Sequence, residues 1–190
     1  MPVIAPRTAA RRTTAVFTGM SAQTTQEQSA EAKKFHDLLA KFETAMLCTH
    51  TAKGNLRGRP MALAGVDDDS TVWFFTGVES GKVEEIVLDT HVAVVCQKDR
   101  DLYVSLSGKA TLLRDKDKIN ELWQESFKTW FPGGKDDPNL AVVSVTPEEG
   151  EYWDNEGFKK IRYLFEAAKA YATGHTPQID EGEQHGKVKL

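Results

Sequence analysis

The spacing of hydrophobic and polar positions changes several times along the chain, and each change marks an element. Phe35, Leu38, Leu39, Phe42 and Met46 recur at i, i+3, i+4, i+7 and i+11, the apolar stripe of a short helix. The period then drops towards two. AMLCTHT (45–51) and LRGRPMALAGV (56–66) read as strands joined by Ala52-Lys53-Gly54-Asn55, a link suited to a hairpin. Asp67-Asp68-Asp69-Ser70 makes the next turn, and TVWFFT (71–76) is a β-branched and aromatic strand. KVEEIVLD predicts a helix of one to two turns with Val83, Ile86 and Val87 on one face.

HVAVVCQ (91–97) and LYVSLSGKATLL (102–113) are further strands, and Gly108 inside the second predicts a bulge that bends it. A longer helix is expected from Asp115 or Asp117, both good N-caps, with Ile119, Leu122, Trp123, Phe127 and Trp130 buried and Pro132-Gly133-Gly134 as its stop. LAVVSVTP (140–147) and GEYWD (150–154) supply a last strand and its continuation. Residues 158–172 read as helical, and the polar remainder as extended along the surface or a partner. Strands outnumber helices and follow one another through short turns, which predicts an antiparallel barrel with peripheral helices.

Composition narrows the class. The 190 residues suffice for one domain, with 40% hydrophobic and 27% charged positions. No apolar run reaches the ~20 residues of a membrane helix. A net charge of −4 argues against broad nucleic-acid or anionic-membrane binding. The first 26 residues carry +3, which leaves −7 for residues 27–190. That Ala-, Thr- and Arg-rich opening reads either as a disordered tail, with Met20 a candidate start, or as an organellar transit peptide. The expected division is a disordered extension at 1–30, a barrel at 31–156, and a C-terminal helix and tail at 157–190. Cys48 and Cys96 form no CxxC pair and read as buried thiols of a reducing compartment, so the cytoplasm is the expected location.

Familiar catalytic motifs are absent. The five histidines form no HxxxH or HExxH pattern, so no metal site is expected. GxSxG, GxGxxG and GxxxxGK[ST] do not occur. Glu84-Glu85 and Asp136-Asp137 read as solvated surface carboxylates. Arg59 does stand out, as a long cation between Gly58 and Pro60 in a strand of small and apolar residues, where it must reach solvent or pair with an anion. Thr76 ends the aromatic strand, and Ser80 and Lys82 stand at the start of the next helix. There a hydroxyl, an ammonium and free backbone N–H groups could cradle a phosphate, with Arg59 closing it from the neighbouring strand.

LRGRPMAL (56–63), TVWFFTGVESGKVEEI (71–86), YVSLSGKATLLRD (103–115), LWQESFKTWFPGG (122–134) and EYWD (151–154) occur in an order and spacing that resemble one family. It is the general stress protein branch of the pyridoxamine 5′-phosphate oxidase-like proteins, the FMN-binding split barrels. The resemblance covers about 120 residues and extends to the tail. It implies a homodimer with FMN, or alternatively FAD, held between subunits, and NAD(P)H or a small redox molecule as co-substrate. It assigns the phosphate to Arg59, Ser80 and Lys82, and the ring to the backbone of Pro60, Met61 and Ala62 as far as Leu63. Phe75 and Thr76 fall on the family's aromatic-threonine step, and Tyr103 on a glutamine of the oxidases. Trp130 and Phe131 are either near the ring, from the opposite subunit, or ordinary core aromatics.

Two departures qualify the resemblance. Gly81 and Ala64 stand where the oxidases carry arginine and lysine, so phosphate binding is expected to be weaker. The oxidases' Arg-Leu-x-Pro segment is missing as well, so pyridoxamine-phosphate oxidation is not expected. The function implied is a flavin-dependent oxidoreductase. The alternatives are a non-catalytic flavin carrier, store or sensor, and a split barrel that has moved to haem.

Overall fold

A computed structural model of the chain describes residues 17–99, 101–154 and 185–190, with side chains from residue 28 onward. Helix α1 (Phe17–Leu39) leads into strands β1 (Thr44–His50), β2 (Leu56–Val66) and β3 (Val72–Gly77). Helix α2 (Gly81–Leu88) separates these from β4 (His91–Lys98) and β5 (Leu102–Leu113). Helix α3 (Lys116–Leu122) and two 3-10 turns (Glu125–Thr129 and Gly134–Asp136) precede β6 (Leu140–Asp154), and β7 (His185–Lys189) ends the chain. All pairings are antiparallel in the order β3-β2-β1-β4-β5-β6-β7, and β3 also pairs with β6. That last pairing closes six strands into the expected split barrel.

Local chemistry explains the closure. The β1–β2 hairpin turns at Gly54, whose φ of +77° suits glycine, and Thr51 donates its N–H to the Asn55 carbonyl. The β5–β6 register shifts between Ser107 and Gly108, the bulge expected from sequence. A Cβ on Gly108 would collide with the Thr146 carbonyl oxygen, so only glycine lets the two backbones approach there. β6 pairs with β5 on both sides of this bend, and on its other edge with β3 from Leu140 to Val145 and with β7 from Glu149 to Trp153.

Apolar residues form two cores. Leu47, Phe74, Val94, Val104, Val145 and Tyr152 fill the barrel, and Phe35, Leu38 and Leu39 of α1 pack with them. A second cluster lies outside the barrel wall. There Ile119, Leu122, Phe127 and Phe131 pack on Ala64, Trp73, Phe75 and Val142 of β2, β3 and β6.

Several expectations are corrected. Phe42 lies in the turn after α1, and Met46 is on β1 and 40% exposed, because β1 alternates Ala45, Leu47 and Thr49 inward against Met46 and Cys48 outward. The helical spacing merely ran on past the helix. Val83 and Ile86 are buried as expected, but Val87 is 71% exposed on an eight-residue helix that packs only one narrow face.

The long helix is in fact broken. Asp115 caps α3, accepting from the Asp117 and Lys118 N–H groups, but Trp123 is extended (φ −66°, ψ 130°). The break lets Phe127 turn onto Phe75, ring centroids 4.7 Å apart, and leaves Trp130 64% exposed instead of buried. Helix α1 reaches back to Phe17, in a run rich in Ala, Gln and Glu that favours helix without an apolar stripe. Part of the polar tail forms β7 on β6. The helix expected at 158–172 lies outside the described residues. Cys48 is half-buried, whereas Cys96 is buried with its thiol pushed up to about 12 by desolvation, and both are free.

Candidate functional site

A cleft of about 360 Å³ opens where β2 and β3 meet the segment after α3. Pro60, Met61 and Ala62 of β2 form its floor, and Phe75, Thr76 and Gly77 of β3 one side. Phe127, Trp130 and Phe131 form an aromatic wall, while Lys82 and Asn139 supply polar groups. Phe75 meets Trp123, Phe127 and Phe131 edge-on at 5.7, 4.7 and 6.4 Å between centroids, which fixes the wall. Its size and its mix of apolar walls with few polar groups fit a small-molecule site.

The polar end is built at the start of α2. Lys82 Nζ donates to Thr76 Oγ1 at 3.1 Å, and Thr76 Oγ1 lies 3.1 Å from Ser80 Oγ. Ser80 is the N-cap residue by backbone conformation, but its hydroxyl makes no capping bond and sits with Thr76 instead. The Lys82 ammonium is held below its ordinary value, first by burial and then by the charge of Arg59. Two cations that disfavour each other's charge in a half-buried site leave room for an anion.

Arg59 meets an anion inside the protein. Its Nη2 donates to Glu85 Oε2 at 2.6 Å and its Nη1 to Thr49 Oγ1 at 3.0 Å. Thr49 donates to Glu85 Oε2 at 2.6 Å, and Arg57 Nη1 to Glu85 Oε1 at 2.8 Å. Glu85 is only 6% exposed, which corrects its reading as a solvated carboxylate. Hydrogen bonds from Thr49 and Arg59 hold its carboxyl below the usual glutamate range, and the charges of Arg59 and Arg57 add to this. The α2 face that buries Val83 and Ile86 carries Glu85 inward with them.

The structure thus brings Pro60, Met61, Ala62, Phe75, Thr76, Lys82, Trp130 and Phe131 around one cleft, with Ser80 bonded at its polar end. Trp130 and Phe131 line it from the same chain. Arg59 sits beside this end but faces Glu85. Tyr103 lies elsewhere, half-buried on β5 between Gln97 and Trp153 of the neighbouring strands.

Sequence reasoning missed Gly77, Asn139, Phe127 as a cleft residue, and Glu85. Asn139 accepts from Glu79 N at 3.4 Å through its side chain and from Val78 N at 2.9 Å through its carbonyl, which clamps the 77–80 turn. Its signal was available only through the β3–β6 pairing that sets Leu140 beside Gly77. Among the described residues no cluster of His, Cys, Asp and Glu could hold a metal ion, and no helix is long and apolar enough to cross a membrane.

A closed antiparallel split barrel with an aromatic cleft ending in a lysine and two hydroxyls defines the class. The sequence model described as pyridoxamine 5′-phosphate oxidase like matches residues 30–178, and the chain belongs to that family. It is 31% identical over 121 residues to general stress protein 26 of Bacillus subtilis, an alignment spanning 62% of this chain and 84% of that one. It is 28% identical over 134 residues to protein bli-3 of Neurospora crassa, spanning 63% of this chain and 64% of the relative. Among solved structures it is similar to a general stress protein 26 type chain from Jannaschia sp. CCS1 (TM-score 0.65, 28% identity, 86% and 99% covered). It is also similar to the general stress FMN/FAD binding protein of Xanthomonas citri (TM-score 0.58, 28% identity, 68% and 92% covered).

Proposed function

We propose that this chain binds a flavin in the β2–β3 cleft, FMN first and FAD as the second candidate, and acts as a flavin-dependent oxidoreductase in a homodimer. One observation carries the reading: a single cleft joins an aromatic wall to a partly desolvated lysine with two hydroxyls beside it. An isoalloxazine suits the first and a phosphate the second. The backbone of Pro60, Met61 and Ala62 would run along the ring, and Phe75 and Trp130 would exclude water. Lys82, Thr76 and Ser80 would hold the phosphate, with Arg59 behind them. Tyr103, remote within one chain, would reach a flavin only from the partner subunit. The bound flavin supplies the hydride or electron chemistry, and the protein orients it. The family membership and the FMN/FAD binding described for the Xanthomonas citri protein support the choice of ligand.

The test is the absorption spectrum of freshly purified protein, followed by titration of the apoprotein with FMN, FAD and riboflavin. Flavin bands, and bleaching by NAD(P)H, are expected. A flavin inert to NAD(P)H and to small reductants would leave a binding protein and remove the enzyme; a haem spectrum, or no flavin uptake at all, would overturn the reading.

A further inference from the structure

We propose that Glu85 is a specificity-determining residue of this cleft: an internal counter-ion that occupies Arg59 and so tempers the hold on a doubly charged phosphate monoester. The proposal rests on the flavin reading above. Glu85 lies one turn after Lys82 on α2, with its side chain 8% exposed against 59% for Arg57 and 18% for Arg59. Each carboxylate oxygen is engaged, Oε1 by Arg57 and Oε2 by both Arg59 and Thr49. A carboxylate that merely decorated a short helix would need none of these partners.

The arrangement has an electrostatic consequence. Arg59 is close enough for its charge to depress ionisation of Lys82, so a phosphate bound at Lys82 feels Arg59 as well. It must then also feel Glu85, bonded to Arg59 at 2.6 Å. Arginine has five N–H donors, and two of those on Arg59 are committed to Glu85 and Thr49. Arg59 therefore reaches a ligand as half of an ion pair, its attraction for an anion tempered by Glu85. A neutral group of the same shape at residue 85 would leave Arg57 and Arg59 without their internal anion, and a ligand phosphate would take that place.

Glu85→Gln keeps the shape and removes the charge. Apoprotein of this variant is expected to melt lower than native. FMN affinity should rise on the order of tenfold, as removing a like charge within several ångströms of a partly screened site implies. Riboflavin, which has no phosphate, should bind both proteins equally, and FMN should raise the melting temperature of the variant more than that of native protein. Arg57→Gln gives the opposite arm and keeps the test open should Glu85→Gln fail to fold: with one competitor gone, Glu85 holds Arg59 more tightly, and FMN affinity should fall about threefold relative to riboflavin. Native binding of both flavins with an unchanged or reversed FMN-to-riboflavin ratio in the variants overturns the role of Glu85 alone. Native protein that binds neither flavin overturns the flavin reading and this proposal with it.

Discussion

Replacing Gly81 by arginine adds a cation where the resemblance to the oxidases would place one. Gly81 is the first residue of α2, next to Ser80 and Lys82. Positive φ among the described glycines is confined to Gly54 and Gly134, so arginine at 81 adopts ordinary backbone. A Cβ there meets nothing within 4 Å, so no neighbour has to move. Two small terms then act on the apoprotein. Loss of glycine's chain entropy favours the variant by roughly 0.5–1 kcal/mol, and a cation in the first helical turn opposes it by roughly 0.3–1 kcal/mol. Apo stability should stay near native.

The ligand tells a different story. A guanidinium beside the phosphate should gain about 1 kcal/mol, or roughly fivefold in FMN affinity, with riboflavin unchanged. Since the position is open to solvent, the gain should shrink as salt shortens the screening length below about 10 Å. The assay is flavin-fluorescence titration of native and Gly81→Arg apoprotein at low and high salt, with thermal melts alongside. Unchanged apo stability with no salt-dependent gain for FMN would show that residue 81 does not face the phosphate. The assignment of the whole α2 start would then be refuted.

Three further outcomes are expected. Lys82→Ala should weaken FMN by roughly tenfold or more while leaving riboflavin nearly unaffected, since a charge-assisted hydrogen bond contributes about 1.5–3 kcal/mol; equal losses for the two ligands in titration would remove Lys82 from the phosphate. Gly108→Ala should destabilise the fold by more than 2 kcal/mol in denaturant melts, because its Cβ falls on the Thr146 carbonyl oxygen and backbone must shift; a native-like midpoint would contradict the β5–β6 bend. Glu85 titrates below the ordinary 4.5 in the folded state, so its contribution is complete above that value and is lost as pH falls through the lower folded one. Glu85→Gln should therefore flatten the acid limb of the stability–pH curve there, and an unchanged limb in urea melts at graded pH would count against the buried pairing.

Much of the barrel was legible because strands announce themselves by alternation and their turns by glycine and aspartate. The hairpin at Gly54 and the bulge at Gly108 follow from residues that backbone geometry nearly dictates. The broken helix was not legible. Trp123, Phe127 and Trp130 keep helical spacing, yet burying Phe127 on Phe75 requires an extended residue at 123, and tertiary packing decided it. The cleft residues of β2, β3 and α2 were within reach because each interrupts or ends an element. Glu85 was hidden inside an acidic pair on a short helix, where solvated charge is the usual reading. Arg57 and Arg59 did carry a signal, since two arginines at alternate positions of one strand face the same way and need an anion opposite. That anion sits 26 residues further on from Arg59, at a distance along the chain that no local pattern spans.

The face of the sheet that no described residue covers supplies the remaining prediction. Helical segments cover the outer side of β2, β3 and β6, but Met46 of β1 and Val95 of β4 stand directly opposite one another, 40% and 42% exposed. Gly58 of β2 is close beside them, where a Cβ would meet the Met46 methyl at 3.2 Å and the Cys48 sulfur at 3.4 Å. Small and apolar side chains on a shallow sheet surface suit a second copy of the same surface. In a two-fold dimer any substitution there acts twice. Val95→Asp places a carboxylate in the proposed interface without touching the barrel interior. Desolvating each unpaired charge costs several kcal/mol, so dimerisation should weaken by at least a hundredfold. Light scattering at micromolar concentration should find native dimer and Val95→Asp monomer, with circular dichroism and thermal unfolding showing the barrel retained. Flavin affinity should fall with the dimer if the partner contributes to the site. A native monomer, or a Val95→Asp protein that stays dimeric, would mean that this face is simply an exposed side of the sheet, and the partner's share of the cleft would have to be sought elsewhere.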